Sequence, residues 1–355
     1  MTILITGANG FIAAHCIALL LRNGLSVRAT VRSSQKATST RAALAAYLSC
    51  TSTSTSNSPD GAAAAGAVDL SLLELVVVPD PTDVAQIRPA VAGCSAILHL
   101  ASAFTYDAAP GEFEEKLLLP ALKGTTAICE AAAMEQGVGK VVIMSSFAAV
   151  YDAAKGLQPG TVYTEGDWSP MTYEEGRDAQ MVPAAYRASK VIAERAAWDY
   201  IRDHKVSYQL VTLCPGMVFG KMIHPIESLA QLNASNQIVW EVLKGENGIP
   251  PTRAPVWIDV EDLAMASLKA LTVDLPTHQR FLVTQGSYCT QEIADIVRKA
   301  LPEKQDRIAV GEPGKRIHET HYSCDSSKVQ QVLGVKFKTL EESIVPLARQ
   351  LYAME

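Results

Sequence analysis

One stretch near the N-terminus, "LITGANGFIAAHCIALLLRNG" (4–24), limits the folds open to this chain more than any other. A short apolar strand, "TILIT" (2–6), runs into Gly7, Gly10 and Ala13 spaced as G-x-x-G-x-x-A, and a helical pattern follows from Gly10 to Asn23. Glycine lets a backbone turn tightly and come close to a pyrophosphate, and a helix N-terminus offers free N–H groups and a positive dipole to an anion. Ala13 in the third position still permits close helix–sheet packing. A turn with no ligand is the alternative, but its place directly after the first strand favours a dinucleotide loop. Gly7, Asn9, Gly10, Phe11 and Ile12 are then the candidates to face the cofactor.

Further short apolar runs alternate with helical stretches: "SVRATV" (26–31), "ELVVVP" (74–79), "AILHLA" (96–101), "KVVIMS" (140–145) and "YQLVTL" (208–213). Strands rich in Val, Ile and Leu, separated by helices, predict a parallel sheet covered on both faces. The expected class is α/β, a Rossmann-type doubly wound parallel sheet with a smaller α/β C-terminal substrate lobe. At 355 residues the chain exceeds what one core usually serves. The cofactor domain is expected over 1–220, with 254–275 returning to it, and the substrate lobe over 221–253 and 276–355. In "SCTSTSTSNS" (49–58) eight of ten residues are Ser or Thr. Such a segment buries too little apolar surface to offset its ordering entropy, so 49–67 is expected to be a flexible surface insertion. The tail "TLEESIVPLARQLY" (339–352) opens with a capping box, Thr339 and Glu342.

The charge pattern selects among dinucleotides. No Asp or Glu occurs before Asp60, whereas an NAD site usually places an acid about 20 residues past the glycines to hold the ribose diol. Here the second strand runs into Arg32, with Lys36 four residues on. Two cations suit a 2′-phosphate and an acid would repel it, so NADP(H) is expected. The other reading leaves Arg32 and Lys36 as solvated surface charges. Asp80 and Pro81, after the third strand, are placed to meet the adenine. Ala101, Ser102 and Ala103, after the fourth, are placed to pass their backbone along the cofactor.

In "AYRASKVIAERAAW" (185–198), Tyr186 and Lys190 stand at i and i+4 on one helix face. A phenol is a poor acid–base group at neutral pH, and a neighbouring ammonium would lower its pKa by charge attraction. The same lysine can hold the nicotinamide ribose. Ser146, at the carboxyl end of the fifth strand in "IMSSFAAVY" (143–151), can polarise a carbonyl with its hydroxyl. Most Tyr-x-x-x-Lys pairs are surface pairs; the dinucleotide loop, the strand-end serine and the chain order set this one apart.

Together Gly7–Ala13, Arg32, "HLASA" (99–103), Ser146, "YRASK" (186–190), "CPGMVFG" (214–220) and "WIDVEDLA" (257–264) resemble the extended short-chain dehydrogenases/reductases. Within that superfamily the chain is similar to the dihydroflavonol reductase, cinnamoyl-CoA reductase and fungal methylglyoxal/aldehyde reductase branch. The resemblance implies a two-lobed enzyme that reduces aldehydes or ketones with NADPH. Tyr186 would donate the proton, Lys190 would tune it and Ser146 would hold the carbonyl. Arg32 and Lys36 would hold the 2′-phosphate, and Pro215, Gly216, Met217 and Val218 would wrap the nicotinamide end. By position, Phe104, Phe147, Tyr151, Pro183 and Met217 would form an apolar substrate pocket, closed on the far side by Met222 and Trp240; core packing is the alternative for each. One departure stands out: relatives often read P-A-V-N-G-T where this chain has "PALKGT" (120–125), so Lys123 replaces an asparagine.

Other function classes are disfavoured. A formal charge of -6 speaks against a general nucleic-acid binder. Seven cysteines without a C-x-x-C suggest reduced thiols in a reducing compartment, and no signal-peptide pattern precedes the first strand, so a cytoplasmic location is expected. No uninterrupted apolar run suggests a membrane span. His318 and His321 lack further ligands nearby, so no metal is expected. The expected partner is a small-molecule carbonyl, and the expected state a monomer or homodimer. A nucleotide-sugar epimerase or dehydratase retaining NAD is the rival enzyme. An NADP-binding redox sensor without turnover is the rival from another class, and it would have no need of Tyr186 and Lys190.

Overall fold

A computed structural model describes residues 1–51, 68–102, 107–317 and 319–355. The N-terminal elements are β1 (Thr2–Thr6), α1 (Phe11–Arg22), β2 (Ser26–Val31), α2 (Ser34–Thr51), β3 (Leu73–Val77), α3 (Val84–Val91), β4 (Ala96–His99), α4 (Leu119–Met134) and β5 (Lys140–Met144). The middle of the chain forms β6 (Val162–Tyr163), α5 (Tyr173–Arg177), α6 (Val182–Asp203), β7 (Gln209–Pro215), β8 (Met217–Phe219) and α7 (Ala234–Lys244). Then come β9 (Val256–Asp259), α8 (Val260–Thr272), β10 (Gln279–Val283), β11 (Gly286–Ser287), α9 (Thr290–Ala300), β12 (Ser323–Cys324), α10 (Ser327–Leu333) and α11 (Leu340–Ala353).

The main sheet has seven parallel strands in the order β10-β7-β5-β4-β1-β2-β3. Strand side chains alternate between its two covered faces, as period-two geometry requires. Ile3, Ile5, Ala96, Leu98, Val142 and Val211 face one core with Ala14, Ile17 and Leu21 of α1 and Leu263 of α8. Leu4, Ile97, Val141 and Leu210 face the other with Ile87 of α3, Ile128 of α4 and Ala197 of α6. The strand order reverses between β1 and β4, and a doubly wound sheet opens its ligand crevice at the carboxyl end of such a pair.

Three features differ from the sequence expectation, the first being that β8 and β9, expected in the cofactor domain, join β11 in a separate sheet. Gln279–Val283, expected in the substrate lobe, pairs with β7 and is an edge strand of the main sheet. Its pairing partner lies about seventy residues upstream, across the crossover helix α8, which no local pattern reveals. Residues 49–51, expected to begin the flexible insertion, instead form the last turn of α2; residues 52–67 lie outside the described residues. The smaller lobe includes a three-stranded sheet, β11-β9-β8, with α7, α9 and α11. α11 opens on the expected capping box: the Glu342 N–H donates to Thr339 Oγ1, and the Glu342 carboxylate accepts the Thr339 N–H at 2.7 Å. The helical stretch Glu114–Met134 is long and apolar enough to cross a membrane by length and composition, and more than half of it is buried within the protein.

No disulfide links the cysteines among the described residues. Burial holds four imidazoles below their ordinary 6.5: His15 and His278, and His99 and His224 at about 4. The unfolded chain binds protons that the folded chain excludes, so stability present above pH 6.5 is lost as the pH falls toward 4. For His99 alone the loss reaches about 3 kcal/mol at the acid end. Calorimetric unfolding midpoints should therefore drop across this window, and less steeply in a His99→Gln variant; equal slopes would refute the assignment.

Candidate active site

A cavity of about 470 Å³ opens at the carboxyl edge of the main sheet. Gly7, Gly10, Phe11, Ile12 and Ala13 form one end of it, where β1 hands over to α1. Gly7 adopts φ +75, a conformation that disfavours side chains, and a Cβ there would stand 3.1 Å from the Ala101 Cα. Gly10 caps α1 without a side-chain hydrogen bond, and no acidic residue occupies the first turn. The N-terminal N–H groups of α1 are thus left for an anion, and the loop fits a dinucleotide pyrophosphate. At the other end Pro215, Gly216, Met217 and Val218 line the cavity. A Cβ on Gly216 would come within 2.5 Å of the Val256 carbonyl oxygen, so glycine is what lets the chain pass there.

Ser146, Tyr186 and Lys190 meet between these ends, all lining the cavity. Ser146 follows β5 and accepts the Ala148 N–H at 3.1 Å, which fixes its hydroxyl at the start of a tight turn. Its hydroxyl also favours the Tyr186 phenolate. The Lys190 ammonium lies 5.7 Å from the Tyr186 ring centre and donates to Ser102 Oγ at 2.9 Å. The electrostatics differ from the sequence expectation. Burial raises the Tyr186 phenol above its ordinary value, and the Ser146 hydrogen bond is what opposes the rise. Burial also brings Lys190 down to about 8, with the Glu194 carboxylate and then Cys214 working against it. In a site this dry, desolvation outweighs the charge attraction anticipated between the pair.

Two supporting groups were not read from the sequence. Glu194, one helical turn past Lys190, is only 1% exposed. It accepts from Ser145 Oγ at 2.6 Å, Thr212 Oγ1 at 2.7 Å and the Arg280 Nε at 2.8 Å. Arg280 also donates to the carbonyls of Ala149, Glu165 and Asp167, and its guanidinium lies 3.7 Å from the Trp168 ring centre. Thr6 Oγ1 hydrogen-bonds His99 Nδ1 at 2.9 Å and accepts the N–H groups of Leu100 and Ala101, pinning that loop beside Gly7. Only the i+4 step from Lys190 to Glu194 was visible locally; the partners lie up to 95 residues away.

The remaining candidates divide by position. Phe147, Tyr151, Pro183 and Met217 line the cavity, and Phe147 stacks on Tyr151 at 4.9 Å. Phe104 and Ala103 lie outside the described residues, as does His318. Met222 and Trp240 do not close the far side: both are buried in the lobe's core, Trp240 edge-on to Tyr352. The N-terminus of α7 takes that place with Asn233, Ala234 and Ser235. Arg32, just past β2, and Lys36, in the first turn of α2, are exposed, and β2 is joined to the glycine loop through Thr30, whose carbonyl accepts the Ala8 N–H at 2.9 Å. Neither lines the enclosed cavity, and neither do Asn9 and Pro81. Asp80 accepts from the N–H and hydroxyl of Thr82, which hold its carboxyl below the usual range. Lys123 is exposed, and its charge reaches Asp80. Among the described residues there is no cluster of three or more His, Cys, Asp or Glu able to hold a metal ion.

Known proteins are similar to this chain along almost its full length. The ketoreductase azaE of Aspergillus niger is 32% identical over 350 residues, 96% of this chain and 95% of that protein. The NADPH-dependent methylglyoxal reductase GRE2 of Saccharomyces cerevisiae is 30% identical, covering all of this chain and 99% of its own. The crystal structure of yeast methylglyoxal/isovaleraldehyde reductase Gre2 with NADPH superposes with a TM-score of 0.84 over 99% of this chain and 98% of that one. Residues 3–283 match the model of the NAD dependent epimerase/dehydratase family, and the chain belongs to that family.

Proposed function

We infer that the protein is an NADPH-dependent carbonyl reductase that converts aldehydes or ketones to alcohols. The observation that carries this reading is the meeting of Ser146, Tyr186 and, one turn on, Lys190 in a single cavity that begins at the glycine loop. The similarity to reductases that use NADPH, and the pair Arg32 and Lys36 in place of an acid after β2, support the choice of cofactor.

When bound, NADPH supplies the hydride. The loop from Gly7 to Ile12 and the α1 N-terminus hold the pyrophosphate, and Arg32 and Lys36 hold the 2′-phosphate. Pro215–Val218 border the nicotinamide end. Ser146 Oγ donates to the substrate carbonyl oxygen and fixes its direction. Tyr186 Oη donates its proton to that oxygen as the alcohol forms. Because the phenol is held above its ordinary value, it stays protonated at neutral pH and is available as an acid. Lys190 Nζ, charged below about pH 8, stabilises the phenolate left behind. Phe147, Tyr151 and Met217 exclude water from the reacting carbonyl.

Tyr186→Phe should reduce kcat by roughly 10²–10⁴-fold, the usual worth of a positioned acid, with NADPH affinity nearly intact; activity close to wild type would remove Tyr186 from the mechanism. Arg32→Ala should raise KM for NADPH by about 10-fold or more and leave that for NADH almost unchanged; equal changes would detach Arg32 from the 2′-phosphate. The pH profile of reduction should fall above about pH 8 as Lys190 loses its charge. Glu194 favours that charge, so Glu194→Gln should move the alkaline limb to lower pH. A shift to higher pH, or none, would contradict the coupling.

A further inference from the structure

The cavity lining is apolar apart from a few groups, and among the described residues two that line it carry a full charge, Lys190 and Arg187. Among the described residues no aspartate or glutamate lines it. Lys190 is engaged with Ser102. Arg187 is not engaged: its Nε is shut off from solvent and has no hydrogen-bond partner, and no ion pair to it occurs among the described residues. A buried N–H of a cation left without an acceptor is costly, and native proteins rarely leave one. Val182, Pro183, Tyr186, Arg187 and Lys190 present one face of α6 to the cavity, so this guanidinium stands beside the phenol that meets the carbonyl. Asn233 lines the same cavity, and its Oδ1 too is buried without a partner. Of the polar atoms in this lining, Arg187 Nε and Asn233 Oδ1 are thus buried without a hydrogen-bond partner.

We propose that Arg187 sets the substrate class: its guanidinium receives the carboxylate of an oxo acid and so presents the aldehyde or ketone group of that molecule to Tyr186. A planar guanidinium fork matches a carboxylate with two parallel hydrogen bonds, and the apolar walls strengthen them by lowering the local dielectric. With no acid in the lining, nothing in the cavity repels an anion. This deepens the reductase reading and rests on it.

The test compares para-formylbenzoate with its methyl ester as NADPH-coupled substrates of wild type, Arg187→Leu and Arg187→Lys. The readout is the ratio of kcat/KM for acid over ester, in which any general loss of activity cancels. The ratio should be about 10-fold or more higher in wild type than in Arg187→Leu, with part of it kept in Arg187→Lys. Benzoate binding to the wild-type and Arg187→Leu proteins, measured by calorimetry with NADPH present, should weaken to a similar degree and needs no turnover. Equal ratios and equal benzoate affinities would overturn the proposal. So would an Arg187→Leu variant whose only change is a higher KM for NADPH, since the arginine would then serve the cofactor. Failure of the reductase reading looks different: neither acid nor ester would consume NADPH in any of the three proteins.

Discussion

The buried pairing of Glu194 with Arg280 organises the site. One carboxylate on α6 reaches Ser145 after β5, Thr212 on β7 and Arg280 on β10, so it ties the helix that bears Tyr186 and Lys190 to adjacent strands of the main sheet. Arg280 carries the tie onward to the carbonyls of Ala149, Glu165 and Asp167 and lies over Trp168. A charge buried this deeply persists only when its partners are all in place, and removing one partner typically costs about 3–5 kcal/mol. Such a network therefore tolerates few alternatives in the angle of α6 against the sheet. The position of the phenol relative to Ser146 follows from that angle.

The site's electrostatics turn on dryness as much as on charge. Charge attraction alone would have Lys190 pull the Tyr186 proton toward release. Burial instead keeps the phenol protonated and loosens the proton on the lysine, while Glu194 partly restores it. For an acid that must give up its proton only when an oxygen develops charge beside it, this balance is serviceable. The phenol stays loaded in the resting protein, and the cation is poised within reach of neutral pH.

Much of the main sheet was legible because its signals are local. Alternating apolar residues mark strands such as Thr2–Thr6, glycines at 7 and 10 mark the turn, and Thr339 with Glu342 marks the start of the last helix. Ser146, Tyr186 and Lys190 were legible through helix spacing and strand ends, since each element projects its side chain in a fixed direction. What stayed hidden depends on pairing across distance. Gln279–Val283 reads like any edge strand until its partner β7 is known. Trp240 suggested a pocket wall, but α7 turns its N-terminus to the cavity and buries the indole. Arg187 gave no local sign, because a cation next to Tyr186 in the sequence looks like a surface residue until the walls around it are in place.

Gly216 is the single residue between β7 and β8, pressed against the backbone of β9. The strand that belongs to the large sheet and the strand that begins the small one are thus nearly one ribbon, with no slack between them. A twist applied to the smaller lobe is delivered straight to the wall along Pro215 and Met217. The width of the pocket and the seating of the smaller lobe are therefore coupled through one residue.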